Sequence, residues 1–95
     1  MPAATRLGDR CTGHGCWPPR PSTAASATVF INGMGAHRQG DSWATHCCGL
    51  ACHASTLAQG SGSVFVEGRG LGRIGDPVAC GSRVAQGSPN VFAGG

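Results

Sequence analysis

The chain has 95 residues, among them 17 Gly and six Pro but only three Phe, two Trp and no Tyr. A core built from so little large apolar material is thin, and a metal, disulfides or a partner must supply the rest of the stability. The formal net charge of +3 comes from seven Arg and no Lys against four acids, too weak and too scattered for the basic stripe of a nucleic-acid footprint.

The opening MPAATRLGD has no apolar run, and no stretch approaches the length needed to span a bilayer. The expectation is a protein made in the cytoplasm without a signal peptide. In that compartment six Cys and four His point to metal binding rather than to a disulfide framework.

Taken in chain order, PAATRLGD (2–9) ends in Arg-x-Gly-Asp and is followed by Cys11, His14 and Cys16. TVFINGMGAHRQGD (28–41) comes next, then THCCGLACH (45–53), with two His and three Cys in nine positions. SVFVEGRGLGRIGD (63–76) aligns with 28–41 over fourteen positions without a gap, sharing Val-Phe, the sixth-position Gly and the closing Arg-x-Gly-Asp. The chain closes with NVFAGG (90–95), and this segment joined to PAATRLGD forms a third copy. Repeats of this kind take precedence over residue-level reading. They predict a single domain over residues 1–95, mostly β, pseudo-threefold, with adjacent ends.

The runs 29–31, 64–66 and 91–92 are β-prone and bounded by Gly, Ser and Asn, which predicts short strands, and Glu67 is expected within one of them. The Gly before each Asp gives the freedom a tight turn requires. Asp9, Asp41 and Asp76 are expected to accept bonds from neighbouring backbone N–H groups as turn chemistry rather than to act in catalysis. GLGRIG (70–75) matches G-x-G-x-x-G, but Asp-Pro and no helical pattern follow, so the dinucleotide reading fails.

The repeat register sorts the candidate ligands. His14 lies five residues after Asp9, His46 five after Asp41, and Cys80 four after Asp76, so three donors should converge on the threefold axis. His53, in the longest inter-repeat loop, supplies a fourth. One structural Zn²⁺ with four N or S ligands fits this set. Cys11, Cys16, Cys47, Cys48 and Cys52 lie close in sequence but lack the shared register. They read as small apolar filler, with a Cys11–Cys16 or Cys47–Cys52 disulfide open to them in an oxidising compartment. His37, whose counterparts are Gly72 and Thr5, reads as a surface histidine. No acid lies in 45–53 to serve a catalytic zinc as base, so the chain is not expected to be an enzyme; a small zinc or thiol enzyme using Cys47, Cys48 or Cys52 is the alternative.

The repeated Arg-x-Gly-Asp units, the three Val-Phe strands and the His/His/His/Cys set together resemble the PAAR-repeat proteins over essentially the whole chain. The literal Pro-Ala-Ala-Arg is absent, and the copies read AATR, GAHR and GLGR. The resemblance implies a small pseudo-threefold cone of short strands and loops with a zinc-stabilised apex, held by His14, His46, His53 and Cys80. It implies a tip that caps a trimeric β-helical spike of a type VI secretion system, or of a contractile phage tail, through its blunt face. Attached effectors, transient contact with a target membrane, no nucleic-acid partner and delivery outside the cell or into a target cell follow from the same resemblance. A chain ending at the repeat on both sides reads as a bare tip.

Overall fold

A buried serine stands two residues before each repeat. In the computed structural model, which describes residues 1–95, Ser26, Ser61 and Ser88 are nearly inaccessible. Each hydroxyl accepts the backbone N–H groups two and three residues ahead at 2.9–3.2 Å. This local side-chain bonding displaces the chain from a regular ladder and aims it into a very short strand. The elements are β1 (Phe30–Ile31), β2 (Met34–Gly35), β3 (Ser42–Cys48), β4 (Ala51–Thr56), β5 (Phe65–Val66) and β6 (Arg69–Gly70), paired antiparallel as β1–β2, β3–β4 and β5–β6. There is no helix, and GLGRIG runs on into a turn.

The β1–β2 and β5–β6 hairpins turn through Asn32-Gly33 (φ 55° and 79°) and Glu67-Gly68 (φ 53° and 79°). Two successive positive φ values match the right-handed twist of the flanking strands. Glu67 therefore sits in a turn, not in the strand the sequence suggests; its carboxylate is held there by the Ser26 hydroxyl and by Arg38 Nη1 at 2.7 Å. A third hairpin closes across the chain ends. Ala3 bridges Phe92, Ala4 N–H donates to Val91 O at 2.9 Å, and Ala93 N–H donates to Pro2 O at 3.0 Å.

The three copies meet in a cyclic triad of backbone hydrogen bonds. Thr5 N–H donates to Gly72 O (2.9 Å), Gly72 N–H to His37 O (2.9 Å), and His37 N–H to Thr5 O (3.2 Å). A Cβ on Gly72 would lie 2.7 Å from Thr5 Cγ2 and 2.8 Å from Leu57 Cδ2, so the third ring position admits no side chain. The ring turns His37 inward, contrary to the surface position expected from the sequence. It is fully buried, donates from Nδ1 to Ala24 O at 2.8 Å and meets Trp43 edge-on. Burial holds its pKa below the usual histidine value, against the opposing pull of the Ala24 carbonyl and Asp41.

Directly after the ring, each Arg-x-Gly-Asp unit clamps itself. Arg6, Arg38 and Arg73 bind Asp9, Asp41 and Asp76 in bidentate fashion at 2.8–3.1 Å, and each Arg backbone N–H donates to the same carboxylate at 2.9 Å. The outer Nη1 of each guanidinium reaches the next copy's hairpin turn, at Asn32, Glu67 or the Gly94 carbonyl. Apolar packing forms two layers on either side of this ring. On one side lie Ala4, Ala36 and Leu71 with Ile31, Val66 and Ala93. On the other, Cys11, Trp43 and Val78, each two residues past a repeat Asp, pack with Leu57 and Val84. Only 28 of 95 residues are buried, so the ion pairs and ring carry weight that a larger core would otherwise take.

In Asp41, burial works against the charged form, but hydrogen bonds and charge from Arg38 outweigh it and lower the pKa below 3.8. The stabilisation is complete above the unfolded-state value and is lost as pH falls through the lower folded one. Asp41→Asn should cost about 3 kcal/mol near neutral pH. Denaturant melts at neutral pH and in strong acid should show the gap from wild type closing once the wild-type carboxylate is protonated.

Candidate metal centre

THCCGLACH is a hairpin rather than the loop expected from its length. His46 on β3 and His53 on β4 are direct cross-strand partners, and the ladder slips by one residue between Trp43 and His46. Strand alternation alone would send residues 43 and 46 to opposite faces. The extra residue turns both inward, Trp43 into the core and His46 into the site. His14 sits on a tight turn closed by reciprocal bonds with Trp17 (His14 N–H to Trp17 O, 3.0 Å; Trp17 N–H to His14 O, 2.8 Å), next to Gly13, where a Cβ would strike Trp17 O. Cys80 sits on the turn closed by Gly81 N–H to Val78 O.

The structure brings His14, His46, His53 and Cys80 together, with their ligand atoms within 4.8 Å of one another. The three Nε2 atoms are separated by 3.2 Å (His14–His46), 3.0 Å (His14–His53) and 2.7 Å (His46–His53). His46 Nδ1 donates to Pro18 O at 2.8 Å, which leaves its Nε2 as a bare acceptor in the neutral ring. No placement of the remaining ring protons gives linear hydrogen bonds along all three edges of so small a triangle. One cation among the lone pairs satisfies all of them together, so the residues fit a metal ion.

The electrostatics favour the ligating forms. Burial, then the neighbouring His46, lower the pKa of His14 and of His53 and keep the rings neutral. For Cys80, burial opposes the thiolate, but the Ser82 backbone N–H and the Arg20 guanidinium outweigh it and lower the thiol's pKa. Trp17 screens the rings, stacking on His14 at 5.0 Å and bonding Ala51 O through Nε1.

The neighbouring cysteines take other roles. Cys16–Cys48 and Cys47–Cys52 are disulfides, whereas Cys11 and Cys80 are free. The expectation of metal binding in place of disulfides is thus corrected for these four residues. The Cys11–Cys16 pairing is corrected as well, because Cys11 points into the core between Trp43 and Val84 as apolar filler. Cys47 and Cys48 are adjacent on one strand and face opposite ways. One bond therefore crosses the hairpin while the other ties it to the His14 turn. Bridged in this way, Cys47, Cys48 and Cys52 offer no free thiol to the enzyme alternative.

A helix-free β fold with three matching hairpins at one end, and at the other a cluster of three histidines and one cysteine that could hold a metal ion, defines a small cone. Residues 12–86 match the PAAR motif family, and the chain belongs to that family. It is 31% identical over 87 residues to the NAD(P)(+) glycohydrolase toxin Tse6 of Pseudomonas aeruginosa PAO1, and likewise to the (p)ppApp synthetase toxin Tas1 of Pseudomonas aeruginosa UCBPP-PA14. Each match covers 81% of this chain but 20% of the relative, so the chain spans about a fifth of the length of these relatives.

Metal analysis of the purified protein should give one ion per chain. His14→Ala and Cys80→Ser should each reduce the content sharply and lower the melting temperature. Cys47→Ser should leave the metal in place; the opposite ranking would reassign the ligands.

Proposed function

We propose that residues 1–95 act as one domain, the sharp tip of a contractile injection machine of the type VI secretion kind, seated on a trimeric β-helical spike. The observation that carries this reading is a symmetric apolar end. Phe30, Phe65 and Phe92 occupy the same repeat position and remain 59%, 59% and 50% exposed, and Val29 and Val64 beside them are also exposed. A soluble surface seldom gathers large apolar groups in this way without a partner. Three equivalent sites around a pseudo-threefold axis are complementary to the end of a trimer, where main-chain pairing would extend the spike's strands.

Each copy runs from this end through the ring to the apex, so the metal lies at the leading point. We assign it as one structural zinc: three imidazoles and one thiolate are a closed set of zinc ligands, with no position left for substrate. The ion's part is mechanical, tying the His14 turn, the β3–β4 hairpin and the Cys80 turn into a rigid point that assists envelope puncture. Kinship with two longer toxins supports a tip that travels with effectors, outward or into a target cell, while the tip region itself does no catalysis.

Replacing Phe30, Phe65 and Phe92 together by Asp should abolish co-purification with the trimeric spike while metal content is kept. The wild-type domain should be less soluble alone than when co-expressed with the spike. A triple variant that still binds one tip per trimer would overturn the docking assignment.

A further inference from the structure

All four acidic side chains of the chain are already engaged: Asp9 by Arg6, Asp41 by Arg38 and Arg69, Asp76 by Arg73, and Glu67 by Arg38. Arg20 is 2% exposed and has none of them. The one polar contact of its guanidinium is from Nη2 to Cys80 Sγ, at 3.1 Å, while Nε and Nη1 are buried without a partner. A guanidinium buried without a counter-charge is strongly destabilising. A neutral thiol is too weak an acceptor to offset that, whereas a metal-bound sulfur is anionic and accepts strongly. The approach to Arg20 is itself built into the site. Pro18, two residues earlier, presents its carbonyl to His46 Nδ1, and Arg20 O accepts from Cys11 N–H at 2.9 Å in the core layer below.

We infer that Arg20 is a positioning residue of the metal centre: it donates an N–H to the metal-bound sulfur of Cys80, fixes the direction of its lone pairs and withdraws charge from it. Together with Pro18 it makes residues 18–20 a strap that orients two of the four ligands without touching the ion. Three neutral imidazoles and one thiolate leave a divalent ion with an excess of one positive charge, and Arg20 adds a second beside it. The guanidinium thus makes the sulfur less nucleophilic, which protects a thiolate at the point of the molecule from electrophiles and oxidants.

This inference rests on the four-ligand metal reading, and the test separates the two. Cobalt(II) is loaded into the full chain and its sulfur-to-metal charge-transfer band compared between wild type and Arg20→Met. Loss of the N–H donor raises the sulfur lone-pair energy, so the band should move to longer wavelength and iodoacetamide should alkylate Cys80 several-fold faster; Arg20→Lys should restore both in part. A purely packing role would leave band and rate unchanged, and that result overturns the assignment. A second measurement needs no variant. In wild-type protein loaded with cadmium-113, an Arg20 guanidinium proton should exchange slowly and show scalar coupling to the metal through the sulfur; absence of that coupling would also overturn it. A wild-type chain that takes up neither metal overturns the centre itself, and the role of Arg20 with it.

Discussion

Three backbone hydrogen bonds, closed head to tail among Thr5, His37 and Gly72, are what the rest of the molecule depends on. A sheet passes its unpaired groups to an edge, but a ring of three has no edge and needs no further strand. It demands that three segments approach at their backbones, which explains a glycine at one position and explains why the two side chains that are present, Thr5 and His37, are completely buried. The bidentate Arg–Asp clamps follow in sequence because a chain leaving so narrow a ring must turn at once. A carboxylate that accepts from both the backbone and the guanidinium of the residue three before it fixes that turn locally.

The two ends of the cone depart from the ring in different ways. Toward the exposed phenylalanines the copies stay alike, with serine, Val-Phe and a tight turn repeated in each. Toward the His/Cys cluster they diverge: two copies end in short turns carrying one candidate ligand each, while the third extends into the β3–β4 hairpin and brings two. Four ligands from three repeats cannot be symmetric, and the extra residue on β3 is where the symmetry is given up. The disulfides lie at that same end. A two-stranded hairpin has little stability alone, and here one covalent bond joins its strands while the other fastens it to the neighbouring turn.

Much of this was legible in the sequence, because spacing survives where residue identity does not. The fourteen-residue repeat located β1, β5, the closure across the chain ends and the role of Arg-x-Gly-Asp, but not β3 and β4, which lie between the repeats and read as a loop. Counting from the repeat aspartates selected His14, His46 and Cys80, the longest inter-repeat loop offered His53 as the fourth, and the structure brings these four together. Register along a chain does not, however, say which way a side chain turns. His37 reads as a surface residue until the ring is seen to direct it inward, and Glu67 reads as a strand residue because positive φ is uncommon for it. The serine two residues before each repeat was visible as Ser-x-x-Val-Phe in all three copies, but its meaning rests on a hydroxyl-to-backbone geometry that no pattern of hydrophobicity reveals. The Cys16–Cys48 bond joins residues 32 apart, and only the folded apex makes them neighbours.

The hairpin that closes across the termini differs from its two counterparts in covalent connection more than in contacts. Gly94 and Gly95 occupy the places that Asn32-Gly33 and Glu67-Gly68 fill elsewhere, and Gly94 lies against Met1. The ring has no privileged seam. Joining Gly95 to Met1 and opening the backbone at Gly33 or Gly68 would give a circularly permuted chain with the same ring, clamps and ligand cluster. The order in which the repeats leave the ribosome is therefore separable from their order around the axis, and a segment fused to either terminus departs from the same corner of the broad end.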